Sequence, residues 1–178
     1  DVKRLVAYSS VAHMGFVMLG LFAATRTGVE GALLQMVNHG ISTGALFLLV
    51  GMVYDRYHTR MVDDLGGLAS RLPLLACGMV FISMASIGLP GLNGFVGEAL
   101  SLAGMFKRHP LYAVVGASGV VLGAWYLLTM LQHVFFGPLK EPRADEHHPV
   151  GDINWRELLA LGPLAVLCLW LGVQPAGL

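Results

Sequence analysis

Apolar residues run through this 178-residue chain in long blocks rather than in alternating stripes. Five blocks stand out, at about 5–24, 31–54, 72–106, 111–136 and 155–173. A helix needs about 20 mostly apolar residues to cross a bilayer, and each block reaches or approaches that length. The third overshoots it. Its roughly 35 residues, at about 1.5 Å of rise each, would make an unbroken helix of roughly 50 Å, against a hydrocarbon core of about 30 Å. Gly88, Pro90, Gly91 and Gly94 interrupt this block. It therefore reads as two half-helices whose freed backbone groups must be satisfied by protein or water. The pattern predicts an all-α membrane protein of about five transmembrane helices, the third discontinuous near Gly88–Gly94. The connections are a short polar turn at 25–30, a hydrophilic loop at 55–71, Lys107-Arg108-His109-Pro110, and a polar, proline-bearing loop at 137–154.

Composition agrees with lipid as the solvent. The chain is 56% hydrophobic and 12% charged, with a mean hydropathy of +0.68, where soluble domains carry about 25% charged residues. Formal net charge is zero and there is no basic tract, so nucleic acid is not an expected partner. Cys77 and Cys168 lie singly in apolar blocks, which gives no disulfide framework and no iron–sulfur or zinc spacing. No phosphate loop or dinucleotide fingerprint is present. The chain opens on Asp1-Val2-Lys3-Arg4 without an initiator Met, so it is expected to be a piece of a longer protein. Lys3, Arg4, Arg56, Arg60, Arg71, Lys140, Arg143 and Arg156 fall on one side of a five-span arrangement; Arg26, Lys107 and Arg108 fall on the other. That imbalance places the start of the chain in the cytoplasm and its end outside.

Against this background Glu98 is conspicuous, the one formally charged residue well inside an apolar block. A carboxylate at the centre of a membrane helix costs about 3 kcal/mol on insertion scales, and such residues mostly mark ion or proton pathways. Its place beside a broken helix matches a device of transporters, where unwound backbone near the midplane helps to form an ion site. The plainer reading is an acid that fixes assembly. His13 and His39 each lie about nine residues into antiparallel blocks one and two, so both imidazoles are expected at mid-depth. Histidine can relay protons, or it can hydrogen-bond across helices as packing glue. Lys3 and Arg4 read as positive-inside anchors, with Lys3 also a candidate charged end of a proton uptake path. His133 sits near a block end and reads as interfacial. His58, His109, His147 and His148 fall in loops, and the run Asp145-Glu146-His147-His148 lacks the further ligands a metal site would need. Trp155 fits an interfacial aromatic belt.

Several stretches resemble one family. Asp-Val-Lys-Arg-Leu-Val-Ala-Tyr-Ser-Ser-Val-Ala-His-Met-Gly-Phe at 1–16 is similar to the antiporter-like, proton-conducting membrane subunits of NADH:quinone oxidoreductase, respiratory complex I. So are Gly-Ala-Leu-Leu-Gln-Met-Val-Asn-His-Gly-Ile-Ser-Thr-Gly-Ala-Leu-Phe-Leu at 31–48, Tyr-Asp-Arg-Tyr-His-Thr-Arg at 54–60, Gly66-Gly67-Leu68, and Gly-Leu-Pro-Gly-Leu-Asn-Gly-Phe-Val-Gly-Glu at 88–98. Beyond residue 106 the likeness rests on hydropathy and Phe-Phe-Gly-Pro at 135–138. Glu98 resembles the branch that carries an acid, rather than a lysine, at this break. The resemblance implies a subunit built on two inverted five-helix repeats. Residues 1–137 would be four spans of the second repeat, and 138–178 a polar loop and terminal helix. It implies His13 and His39 as central relay residues and Glu98 as the acid of an outlet half-channel. It also implies that the chain holds no cofactor or metal: NADH, FMN, iron–sulfur clusters and quinone would belong to partner subunits. The first repeat is absent, so the piece alone should not pump. Loops rich in Ala, Gly and Leu suggest a bacterial plasma membrane. Subunits of sodium/proton antiporters, membrane-bound hydrogenases and formate hydrogenlyases are similar too, and a passive scaffold is the remaining alternative.

Overall fold

In the computed structural model, which describes residues 1–142 and 150–174, every regular element is helical. The helices are α1 (Val2–Phe22), α2 (Arg26–Tyr57), α3 (Pro73–Ile87), α4 (Asn93–Arg108), α5 (Pro110–Phe135) and α6 (Trp155–Val173), with 3-10 turns at Val62–Asp64 and Leu68–Ser70. By length and apolarity α1, α2, α5 and α6 could each cross a membrane alone. The third expected span is divided between α3 and α4. Arg143, Asp145, Glu146, His147 and His148 lie outside the described residues.

Caps, rather than the ends of the apolar blocks, set the boundaries. Asp1 accepts from Arg4 N at 3.1 Å and starts α1, and Thr25 accepts from Gly28 N at 3.1 Å and starts α2. The turn expected at 25–30 is thus already helix, with Arg26 and Glu30 paired at 2.7 Å one turn apart. A polar side chain on an outer turn does not stop a helix whose backbone bonds continue. At its far end α2 runs three residues past the apolar block, to a left-handed His58. Its 32 residues extend about 48 Å, which leaves Arg26, Glu30, Asp55 and Arg56 beyond a hydrocarbon core of about 30 Å.

The break falls at 88–92. Gly88 has φ 84°, a conformation that costs a residue with a Cβ about 1–2 kcal/mol. The turn closes through Gly88 N to Ala85 O at 3.3 Å and Leu89 N to Met84 O at 3.1 Å, so two of the freed carbonyls of α3 are partnered. The two half-helices do not stack end to end. A Cβ on Gly94 would run into Ala85 O, and one on Gly88 would lie 3.2 Å from Glu98 Oε2. The first turn of α4 therefore lies alongside the last turn of α3, and the segment is shortened by the overlap.

α4 runs antiparallel to α2 with almost no space between their backbones. A Cβ on Gly31 would sit 2.5 Å from Ser101 N, and one on Gly97 would sit 2.8 Å from Gln35 Cα. Farther from the break, Gly104 meets Gly28 in the same way. Only small residues allow such an approach in a membrane bundle. The larger apolar core, including Leu46, Leu49, Met79, Ile82, Leu127 and Met130, fills the other half, between α2, α3 and α5.

The loops on the face where α1 begins are tied together. Val2 N donates to Arg60 O at 2.9 Å, and Gly66 and Lys140 exchange backbone hydrogen bonds at 2.9 Å. Arg56 donates to both carboxylate oxygens of Glu157, at 2.8 and 2.7 Å, and to Gly151 O at 2.8 Å. The Asp152 carboxylate accepts from Leu74 N at 2.7 Å and Leu75 N at 3.1 Å, which caps α3. These contacts anchor α6, most of whose surface stays exposed: Leu158, Leu159, Val166, Leu169 and Trp170 all face outward. An apolar exterior of this kind is ordinary for helices surrounded by lipid.

Candidate functional site

The site lies where α1, α2 and the start of α4 meet. Glu98 is one and a half turns into α4 and 3% exposed. Its Oε1 lies 2.7 Å from His13 Nδ1 on α1 and accepts from Gln35 Nε2 on α2 at 3.1 Å. His13 and Gln35 are as buried as the acid. The His13 ring stands 5.9 Å, centroid to centroid, from the His39 ring. His39 is half-buried and bonded to Thr43 Oγ1, with Nδ1 at 3.1 Å. The three expected groups thus form a line, His39–His13–Glu98, and Gln35 holds the acid from the side.

The chemistry of the pair follows from its distance. A separation of 2.7 Å is that of a charge-assisted hydrogen bond. With the proton on nitrogen, imidazolium donates to carboxylate. With the proton on oxygen, the carboxylic acid donates to the neutral ring. Both arrangements keep the bond, so one proton can sit on either partner without leaving a buried charge unpaired.

Helix geometry explains the convergence. On α1, residues 6, 9, 13, 16 and 17 follow helical spacing and all face inward. On α2, Gln35, Asn38 and Ser42 form a buried polar stripe at the same spacing. Asn38 belongs to a second joint that holds the break. Asn38 Nδ2 donates to Asn93 O at 2.6 Å, and Asn93 Nδ2 donates to Asn38 O at 3.1 Å. Both asparagines are fully buried. Two points of α2, Gln35 and Asn38, therefore grip two points of α4, Glu98 and Asn93.

The other candidates sit elsewhere. Lys3 is exposed on the first turn of α1, ten residues or about 15 Å of helix from His13, and the structure does not bring it to the pair. His133 is exposed and bonded to Thr129 O of its own helix at 2.8 Å. His58 caps α2 against Tyr54, and His109 is exposed at the α4–α5 corner beside Tyr112. Gln35, Asn38 and Asn93 are site residues that histidine-and-acid reasoning passes over. The signal for Gln35 and Asn38 was present as polar side chains recurring at three- and four-residue spacing in an apolar block; Asn93, alone beside the break, carried none.

Comparison with known proteins places this bundle. A family model described as "NADH:quinone oxidoreductase/Mrp antiporter, TM" matches residues 1–123. Among curated relatives, the NADH-quinone oxidoreductase subunit M of Rhodobacter capsulatus is 47% identical over 176 residues, 99% of this chain and 34% of that protein. Respiratory complex I from Thermus thermophilus contains a chain that superposes with a TM-score of 0.86 at 36% identity, covering 99% of this chain and 36% of that one. A chain of the membrane-bound sulfane sulfur reductase, an archaeal respiratory membrane complex, gives 0.87 at 29% identity, covering 98% of this chain and 28% of that one. The fold and its buried acid define an antiporter-like membrane protein of multi-pass helical type. This chain belongs to the transmembrane family shared by NADH:quinone oxidoreductase and the Mrp antiporter. It spans about a third of the length of the curated relatives it matches.

Proposed function

We propose that this chain is part of a proton-translocating membrane subunit of an NADH:quinone oxidoreductase, corresponding to the subunit M of its relatives. The observation that carries the reading is the buried His13–Glu98 pair at 2.7 Å, with the His39 ring 5.9 Å from that of His13. Three ionisable groups in hydrogen-bond or near-contact order, inside a lipid-facing bundle and beside a broken helix, suit a proton relay better than a packing device. The relay runs from the cytoplasmic face, where Lys3 stands, through His39 and His13 to Glu98, and on towards the outer face. NADH oxidation, FMN, the iron–sulfur clusters and quinone chemistry belong to partner subunits of the complex. The membrane is a bacterial plasma membrane.

The test uses the full-length subunit in the assembled complex, in membrane vesicles. Glu98→Gln keeps size and hydrogen bonding but cannot exchange the proton. Proton pumping per NADH oxidised should be lost while a native gel shows intact assembly. Normal pumping by the assembled variant would reduce Glu98 to structural glue.

The likeness to the sulfane sulfur reductase complex supports a second reading, in which the same bundle serves a different respiratory complex, an antiporter or a hydrogenase. Co-purification separates the readings, because NADH-oxidising partners carry the first.

A further inference from the structure

The relay described above leaves one oxygen of its acid unassigned. Glu98 Oε1 engages both His13 and Gln35. Oε2 engages neither, and the residue it meets is Gly88. A Cβ built on Gly88 would have Oε2 as its nearest neighbour, at 3.2 Å, with Phe95 N and Cα next at 3.6 Å. The missing side chain therefore leaves a methyl-sized space in front of the free oxygen.

That space adjoins the break. Gly88 is half-buried, and Leu89, Pro90 and Gly91 are exposed. The break also holds acceptors in want of donors. In a continuous helix Ser86 O would take the N–H four residues on, but residue 90 is a proline and has none. No other backbone donor reaches Ser86 O among the described residues. Asn93, at the start of α4, is fully buried, and its Oδ1 is likewise without a partner. Freed polar groups at membrane depth need protein or water. Oxygens without donors suit water, and protonated water above all, since it has three protons to donate.

The other way on from Glu98 is shut. One turn farther along α4, towards the outer face, three helices lie almost backbone to backbone. A Cβ on Gly20 would sit 2.5 Å from Gly28 O and 2.8 Å from Ser101 Oγ, and one on Gly31 would sit 2.5 Å from Ser101 N. Gly104 meets Gly28 beyond them. A seam this tight has no room for a water.

We propose that Glu98 exchanges its proton with water through Oε2, at the break, and that Gly88 is the positioning residue that keeps this oxygen open. The inference rests on the proton-relay reading above. The step uses both oxygens. With the acid protonated on Oε2, Oε1 receives the proton of His13 Nδ1 as Oε2 gives its own to the water. One N–H and one O–H bond break, two O–H bonds form, and the positive charge passes from the imidazolium to the water. No electron moves and the acid stays neutral. Rotation of the carboxyl group about its Cγ–Cδ bond then returns the O–H to the Gly88 side.

The test compares Gly88→Ala with Gly91→Ala in the full-length subunit within the assembled complex, alongside Glu98→Gln. Both glycines are left-handed, at φ 84° and 94°, so alanine strains the backbone alike at each. They differ in what the new methyl group meets: Oε2 at residue 88, and nothing within 4 Å at residue 91. At residue 88 it takes the place of the water. Both variants should assemble with similar falls in Tm. NADH-driven proton uptake into vesicles should fall about tenfold or more in Gly88→Ala alone. Its solvent deuterium isotope effect should also rise, which backbone strain by itself would not cause. Equal uptake by the two assembled alanine variants, with Glu98→Gln inactive, overturns this inference and spares the relay. Normal uptake by Glu98→Gln overturns the relay itself, and this inference with it. If Gly88→Ala does not assemble, the unmodified complex decides. The infrared band of the protonated acid, assigned by its loss in Glu98→Gln, should shift on transfer to heavy water; a band that stays in place overturns the inference.

Discussion

The seam between α2 and α4 gives the sharpest test of how the site is held. Gly31→Ala adds one carbon, whose nearest neighbours would be Ser101 N at 2.5 Å, Leu100 Cβ at 2.7 Å and Leu100 C at 2.8 Å. Two of these are backbone atoms of α4, which no side-chain rotation can remove. Ordinary contact begins near 3.4 Å, so α4 must withdraw from α2 by about 0.9 Å. Overpacking of this kind costs about 1–3 kcal/mol. The larger effect falls on the site, because Glu98 rides on the same rigid helix, one turn before Ser101. A shift of about 1 Å would stretch the Gln35–Glu98 bond from 3.1 Å beyond hydrogen-bond range and misalign the His13 pair. Misplacement by about 1 Å can cost about 10²-fold in rate. The assay is NADH-driven proton uptake by vesicles carrying the full-length variant, with assembly checked on a native gel. Gly51→Ala is the control on the same helix, since a Cβ there meets nothing within 4 Å. Gly31→Ala complexes should assemble, lose at least tenfold in uptake, and melt lower than Gly51→Ala complexes. An assembled Gly31→Ala complex that pumps like the control would show that Glu98 is not positioned through this seam.

Two other joints make further predictions. Asn38→Ala and Asn93→Ala should each lower stability by about 1–3 kcal/mol, because each leaves buried polar groups unpaired. Each bond runs from one side chain to the other residue's backbone carbonyl, which alanine keeps, so the two losses should add in a double-mutant cycle; strong coupling would mean that neither bond forms without the other. Arg56→Ala should release α6, whose hold on α2 includes the bidentate pair with Glu157 and the bond to Gly151 O. With the Arg56 side chain 9% exposed and Glu157 22% exposed, the loss should be about 1.5–3 kcal/mol, read as a lower Tm and faster proteolysis of the loop before α6. Unchanged proteolysis would show that α6 is held by its apolar contacts alone.

Local pattern carried most of the architecture. The spans were legible because lipid demands long apolar helices, and helix length is a property of consecutive residues. The break was legible for the same reason: Gly88, Pro90 and Gly91 interrupt a segment that is too long for one span, although Gly94 proves to be helical, in the first turn of α4. Glu98 stood out as the one acid inside an apolar block. Matched depth for His13 and His39 followed from the rise per residue alone, and their rings do meet. Helix ends were less legible. α2 begins at Arg26 and ends at Tyr57 because capping residues, not hydropathy, close its hydrogen-bond ladder.

What sequence could not supply was which side of each helix meets which neighbour. That is set by packing between residues far apart in the chain. His13, and not His39, takes the acid because α4 crosses α1 at that turn. Gln35 reaches Glu98 only because Gly31 and Gly97 let two backbones nearly touch. The overlap of α3 and α4 puts Glu98 beside Gly88, and Asn38 holds Asn93, at the start of α4, across 55 residues of chain. Lys3 shows the converse: a charge at the right end of the right helix, left about 15 Å short of the pair. Composition and periodicity determined that this chain is a lipid-embedded helical bundle with one buried acid at a broken span. Tertiary contact alone decided that the acid has a histidine on one side, an amide on the other and a second histidine behind. Depth is a one-dimensional property of a sequence, whereas the rotation of each helix about its axis is settled only when the helices pack.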